Sequence, residues 1–409
     1  MPVLVAPVGS TSGPRLVSTP PTRADCVVVG GGVLGAATAF YLARRGLSVV
    51  VVEKRPRLAT LTTAASAGGF RAQQDDPAKI ALVRRSIAIF ETFAEHTGLP
   101  GWDLGLHPAG YLWVTTRADG PERQRRVVEM QRAAGLDDVE RLDGDEARRR
   151  FPFLAEAVTS ARWRARDGWL DPKRLAIGFA TASGATFCVG ALVHGIAVEG
   201  DRVTTVHTDR GSIACGSVVI AAGPLSAKAA ALAGLELPLS PMIRHKVAFP
   251  QLADVPRDAP MTIDEDTGAH FRPDGAGALA LCPEADTTSC EPTFDPPIDH
   301  GFAFRLLDPD SPIAVARIAP LWRGVWARAT DSFYVASGQY SLTPDRRPIL
   351  GATPVEGLFL NVGHSGHGIM TSAGASELVA RAVVGERAPA IEPFALERGF
   401  GGVARHGPL

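Results

Sequence analysis

Asp25-Cys26-Val27-Val28-Val29-Gly30-Gly31-Gly32-Val33-Leu34-Gly35 is the stretch that decides the fold. A short apolar run breaks on three glycines and resumes with small residues at helical character. The second segment ends in Arg44-Arg45-Gly46, where basic side chains meet the negative end of a helix dipole and glycine suits the cap. Ser48-Val49-Val50-Val51-Val52 follows at once and stops at Glu53. Strand, turn, helix and strand make a βαβ unit. Gly30, Gly32 and Gly35 fit G-x-G-x-x-G in the setting that motif needs, with an acid 23 residues beyond its first glycine. Gly30 permits the tight turn, Gly32 lets backbone N–H groups approach a pyrophosphate, and Gly35 allows the helix to pack closely on the sheet. The phosphates then lie at the positive helix end begun by Val33 and Leu34. Glu53 is expected to accept from a ribose hydroxyl and to repel a 2′-phosphate, with Lys54 beside it in the cofactor-binding set. This unit serves FAD and NAD alike, because both carry an adenosine diphosphate half.

Working outward, residues 79–95 place Ile80, Val83, Ile87, Phe90 and Phe93 at helical spacing, as core packing does. Residues 117–150 read as solvated helices rich in Arg, Glu and Asp. Asp171-Pro172 opens a further helix, with Asp as cap and Pro in its first turn. Short strands alternate over 186–223, and Ser217-Val218-Val219-Ile220 is apolar on both faces, as a buried parallel strand should be. Residues 241–335 are broken by prolines and turns, which predicts an antiparallel sheet with long loops.

The chain has 409 residues, long enough for two or three domains. Its 42 basic residues balance 43 acidic ones, so no global field gathers nucleic acid. The five cysteines are scattered without a C-x-x-C pair, which indicates neither a disulfide framework nor a metal site, and a cytoplasmic location is expected. No apolar run is long enough for a transmembrane segment. Nothing in the sequence sets an oligomeric state.

Beyond the first fingerprint, the chain contains Ser66-Ala67-Gly68-Gly69-Phe70-Arg71, Asp167-Gly168-Trp169-Leu170-Asp171-Pro172, Val218-Val219-Ile220-Ala221-Ala222-Gly223-Pro224, Tyr340-Ser341-Leu342-Thr343-Pro344-Asp345, Pro348-Ile349-Leu350-Gly351 and Gly363-His364-Ser365-Gly366-His367-Gly368. With these motifs in this order, residues 24–385 resemble the D-amino-acid oxidase-like flavoprotein family, in its sarcosine oxidase, glycine oxidase and secondary-amine dehydrogenase branch. The resemblance implies an α/β fold: a Rossmann-like FAD-binding domain of the GR2 type and a second, mainly antiparallel β-sheet substrate domain. The expected division is a flexible tail over 1–23, a discontinuous FAD domain over 24–100, 165–240 and 336–385, a substrate domain over 101–164 and 241–335, and a terminal tail over 386–409.

By the same resemblance, Ser66, Gly68 and Gly69 lie beside the flavin ring, the backbone of Val193 holds the adenine, and Ala222 and Gly223 line the dinucleotide. Gly363, His364, Gly366, His367, Gly368 and Ile369 form a loop that opens a helix and aims donors at the ring. Two-electron reduction makes the flavin anionic near N1, and preorganised donors there stabilise the charge as it develops. Arg71, Tyr340 and His367 are the catalytic candidates, with Arg71 gripping a substrate carboxylate at two points. The implied reaction is oxidation of the C–N bond of an amino acid or a secondary amine. A hydride passes to flavin N5, and the resulting imine hydrolyses.

Three departures from the branch matter. Gly338 stands where some members bear the cysteine that links their flavin, so the FAD is expected to be non-covalent. Met370 replaces a lysine that grips carboxylate. Residues 271–282 contain no counterpart of the lysine that assists oxygen reduction, which leaves the acceptor as oxygen or a carrier. His364, where the family usually has Phe, is either a polar or titrating addition to the loop or a plain tolerated substitution. The competing readings are an NAD-dependent dehydrogenase, which has no use for the late glycine loop, and a flavin subunit of a hetero-oligomer.

Overall fold

The computed structural model describes residues 13–283, 289–328 and 332–400. A seven-stranded sheet orders Arg15–Val17, Thr186–Val189, Val49–Glu53, Cys26–Val29, Ser217–Ile220, Leu358–Val362 and Ile349–Ala352. Every neighbouring pair is parallel except the last. The period-two geometry of a strand explains the unbroken valine runs. Cys26, Val28, Val49 and Val51 face one way, into a core shared with the helices Val33–Ala43, Pro77–Glu91, Pro172–Ser183 and Gly368–Val383. Val27, Val29, Val50 and Val52 face the other way, against Ile196, Val203, Val206 and Ile213. Those four come from a three-stranded antiparallel sheet, Val193–Glu199, Arg202–Thr208 and Gly211–Ala214. The result is an α/β fold.

Glycine decides the geometry at two positions. Gly30 holds φ at 114°, and a Cβ there would lie 2.5 Å from the Ala221 carbonyl oxygen. At Gly35 a Cβ would come within 1.8 Å of the Gly30 carbonyl, so any side chain would push the helix off the turn that it begins. Asp171 accepts from the N–H groups of Lys173 and Arg174, as the Asp-Pro signal predicts.

A second sheet of eight strands runs Tyr334–Leu342, Ser240–Phe249, Gly277–Leu281, His270–Asp274, Met261–Asp264, Tyr111–Thr115, Ser160–Arg164 and Glu140–Asp143. It is antiparallel apart from the pairing of Met261–Asp264 with Tyr111–Thr115. One face packs Val247, Phe249, Phe271 and Ala280 against Phe302, Leu306 and Trp322 of two short helices. The opposite face looks toward the first sheet.

Three expected boundaries need correction. Residues 15–17 are an edge strand paired with 186–188, not part of a free tail. At the other end, Phe394 is buried and Arg398 pairs with Asp345, so 386–400 is docked; residues 401–409 lie outside the described chain. Residues 336–342 belong to the eight-stranded sheet, because all of Tyr334–Leu342 pairs with Ser240–Phe249. Composition did not show these, since a short strand with prolines around it looks like a linker until a sheet edge is there to receive it. Among the described residues no helix is long and apolar enough to cross a membrane.

Candidate active site

A cavity of about 410 Å³ lies between the two sheets. At one end it is walled by Gly30, Gly32, Val33 and Leu34, with Glu53, Lys54 and Val193 farther along. Ala222 and Gly223 line its flank. At the other end are Ser66, Tyr340, Gly363, His364, Gly366, Gly368 and Ile369. Two helices start on this wall, Val33–Ala43 behind Gly32 and Gly368–Val383 behind His367, and neither has a side-chain cap at its N-cap residue. Their free N–H groups and positive dipole ends make two anion-seeking stations on one cavity. Thr63 Oγ1 accepts from the Val33 N–H at 3.1 Å. Glu53 is the one carboxylate among the described lining residues, beside Lys54, Arg55, Lys228, Arg244 and Lys246. A dinucleotide with a pyrophosphate in its middle and a ring that turns anionic at one end fits that arrangement.

Glu53 is fixed by its own backbone. Oε2 accepts from the Gly31 N–H at 2.7 Å and Oε1 from the Arg55 N–H at 2.8 Å. Burial raises its pKa, opposed by those two donors and by the Arg55 charge. Each carboxylate oxygen keeps a second lone pair for a ligand hydroxyl.

Gly35, Gly68, Gly69, Arg71 and His367 are not on the cavity wall. Gly69 is a packing glycine, where a Cβ would meet the Tyr111 hydroxyl at 1.9 Å, and Gly68 fits against the Leu170 carbonyl. Arg71 is 5% exposed. Its Nη1 donates to the Gln73 carbonyl at 2.9 Å, its Nη2 lies 3.1 Å from His367 Nε2, and its guanidinium sits 4.9 Å from the Trp113 ring centre. Among the described residues no carboxylate comes within ion-pair distance of it, and burial lowers its pKa. Arg71 and His367 thus meet behind Gly366, whose Cα faces the Tyr340 ring so closely that a Cβ would be 2.6 Å from it. Burial raises the Tyr340 pKa.

His364 is polar but not titrating. Its Nδ1 is 2.7 Å from Thr371 Oγ1 and its Nε2 is 3.0 Å from Asn361 Oδ1. The Asn361 amide donates to Thr38 and Ser376. This chain joins the two helices that open on the cavity. Burial pushes the His364 pKa down to about 3, so the ring stays neutral.

The sequence reading missed Lys246 and His270. Residues 271–282 indeed hold no lysine, yet Lys246 enters the cavity from the neighbouring strand, directly across from Leu281. Its Nζ donates to the Ser66 carbonyl at 3.2 Å. Burial and the nearby Arg272 lower its pKa to about 8. His270, paired with Leu281 from the other side, is neutral because burial lowers its pKa to about 4. The signal was available in Arg244 and Lys246, two cations at strand alternation leading into the apolar run Val247-Ala248-Phe249.

The model of the FAD dependent oxidoreductase (DAO) family matches residues 25–382. The chain belongs to that family. FAD is its cofactor, and the protein is an FAD-dependent oxidoreductase. This flavoenzyme is 29% identical over 409 residues to FAD-dependent oxidoreductase domain-containing protein 1 of Xenopus laevis, covering 89% of this chain and 80% of that one. It is 30% identical over 399 residues to the glycine oxidase of Geobacillus kaustophilus, covering 93% and 98%. The crystal structure of L-proline dehydrogenase from P. horikoshii superposes with a TM-score of 0.80 at 25% identity, covering 92% of this flavoenzyme and 97% of that chain.

Proposed function

We propose that this flavoenzyme oxidises the C–N bond of a small amino acid or N-alkyl amino acid, and that Arg71 anchors the substrate carboxylate. The observation that carries the reading is Arg71 itself, a buried guanidinium with no carboxylate in ion-pair range among the described residues. A buried charge without a counter-charge is costly, and an incoming carboxylate relieves that cost. Similarity to a glycine oxidase and to an L-proline dehydrogenase supports the same substrate class.

Bound FAD supplies the hydride acceptor. The chain supplies alignment. Arg71 is fixed by the Gln73 carbonyl and by His367, so its two-point grip is preorganised and little entropy remains to be lost on binding. Tyr340 and Gly366 line the cavity next to His367, the partner of Arg71. Among the described residues the imidazoles on the cavity wall are those of His245, His270 and His364, and the last is committed to Asn361 and Thr371. The amine binds in its neutral form, and no side-chain base is assigned. Water that enters after the hydride has left hydrolyses the imine.

The test is anaerobic bleaching of the bound flavin against a panel of amino acids, N-methyl amino acids and plain amines. Rapid bleaching by one class of carboxylate-bearing amine is expected. A flavin that none of them reduces, while dithionite does, would overturn the reading.

A further inference from the structure

A segment from the eight-stranded sheet side crosses to the nucleotide end of the cavity and touches the strand that carries Glu53. Phe294 lines the cavity, and the Lys54 ammonium sits 3.6 Å from its ring centre. Arg55 Nη2 donates to the Phe294 carbonyl and, at 2.8 Å, to Asp295 Oδ1. The crossing is tied down behind that contact. Gln339 Oε1 accepts from the Thr293 N–H at 2.9 Å and its Nε2 donates to the Glu291 carbonyl at 3.1 Å, while Ser337 Oγ donates to the Pro296 carbonyl at 2.8 Å. Lys228, on the cavity flank near Gly223, pairs with Glu291 at 3.2 Å. Residues 53–55 thus receive a phenyl ring from an element far away in sequence, at the end of the cavity that Val193 also lines.

We propose that Phe294, clasped by Lys54 and Arg55, is part of the FAD site: it covers the adenosine end of the cofactor and retards its release. An adenine offers an apolar face that a phenyl ring or a cation-bearing edge can cover, and a cation over that ring strengthens the contact where solvent is excluded. The chain thereby closes the cofactor cleft with a residue that the βαβ fingerprint does not contain. It also ties the two sheets together through the ligand.

The experiment measures FAD dissociation from purified holoenzyme by the fluorescence of released flavin, with no substrate present. Phe294→Ala and Arg55→Gln should each speed release roughly tenfold, and Phe294→Leu less, as fits a contact of this strength. The visible spectrum of the flavin that remains bound should be unchanged, because the ring end is untouched. In a double-mutant cycle, Lys54→Met should add little to Phe294→Ala, since the two act on one contact. Release from Phe294→Ala at the wild-type rate would overturn the proposal. So would faster release accompanied by an altered ring spectrum and a lowered unfolding temperature, which would mean that Phe294 acts through the fold. Neither outcome depends on which amine is oxidised.

Discussion

His367 Nε2 lies 3.1 Å from Nη2 of Arg71, and because a guanidinium only donates hydrogen bonds, the imidazole accepts there and carries its proton on Nδ1. Burial, then the Arg71 charge, lowers the His367 pKa well below the ordinary value. The histidine is a neutral prop for a cation, not an acid. Arg71→Ala should lower kcat/KM for a carboxylate-bearing substrate about 30-fold to several thousand-fold, corresponding to about 2–5 kcal/mol for one partner of a buried charge pair. Activity toward a plain amine should change far less. Steady-state kinetics with a matched pair, an amino acid and its decarboxylated amine, separates the two. Equal losses on both substrates would remove the carboxylate from the account.

We propose two jobs for Glu53, and its variants should show both. Glu53→Ala takes away a ligand acceptor and also releases the Gly31 N–H that shapes the glycine turn. FAD affinity should weaken by about 1–3 kcal/mol, the range for charged hydrogen bonds. Glu53→Gln keeps one acceptor oxygen and should lose less. Quenching of flavin fluorescence on titrating the apoprotein reads both, and an unchanged dissociation constant would show that the ribose does not meet this residue.

Gly338 argues for a flavin that acid can release. A Cβ at this position would lie 2.6 Å from the Ala65 Cβ, so the site that bears a linking cysteine in some relatives is closed to a side chain here without movement. Precipitation with acid should leave a colourless pellet and a yellow supernatant. A pellet that stays yellow contradicts this.

Much of the fold was legible because local chemistry and long-range packing agree in it. Val27 to Val29 and Val49 to Val52 are apolar on both faces, and the sheet is covered on both faces. Gly30 and Gly35 sit where only glycine fits. Arg71 and His367 were legible as residues but not as a pair, since no pattern in sequence joins positions so far apart. Lys246 was hidden for a related reason. The family pattern points to 271–282, whereas cross-strand pairing puts the cation opposite Leu281 from another strand. Residues 386–400 read as a tail because two buried residues, Ala388 and Phe394, and scattered ion pairs such as that of Arg398 with Asp345 leave no periodic trace.

That ion pair yields a stability prediction. Arg398 donates to both Asp345 oxygens, at 2.9 and 3.0 Å, with little of either side chain exposed. Although burial pushes the Asp345 pKa up, the Arg398 contacts and the Arg347 N–H hold it below the usual carboxylate value. A depressed folded-state pKa contributes stability above the unfolded value, and that contribution is lost as pH falls through the folded one. Asp345→Ala should cost about 3–5 kcal/mol as a broken buried pair, and the deficit should shrink in acid. Thermal unfolding at neutral and acidic pH measures it; the same deficit at both would separate the effect from the charge.

Lys246 carries a prediction about how the reduced enzyme reacts with oxygen. Electron transfer to oxygen creates negative charge, and a cation fixed nearby lowers the barrier. Resemblance to the oxidase branch assigns that task to a lysine, and Lys246 brings one into the cavity beside Ser66. Its pKa is lowered to about 8 by burial and by Arg272 and Lys173, with Asp274 opposing, while His270 on the same face is neutral and adds no charge. The cation is present below that value and lost above it. Reoxidation of the reduced flavin by oxygen should therefore slow as pH rises through about 8. Lys246→Met should be slower by roughly 100-fold at neutral pH, by analogy with removing one preorganised donor, and its rate should not vary over the same interval. Anaerobic reduction by substrate should be affected much less, which keeps the assignment distinct from a general disturbance of the cavity. Stopped-flow mixing of reduced enzyme with oxygenated buffer gives both rates. If the wild-type enzyme already reoxidises very slowly and Lys246→Met does not change it, oxygen is not the acceptor and a carrier protein or quinone takes the electrons.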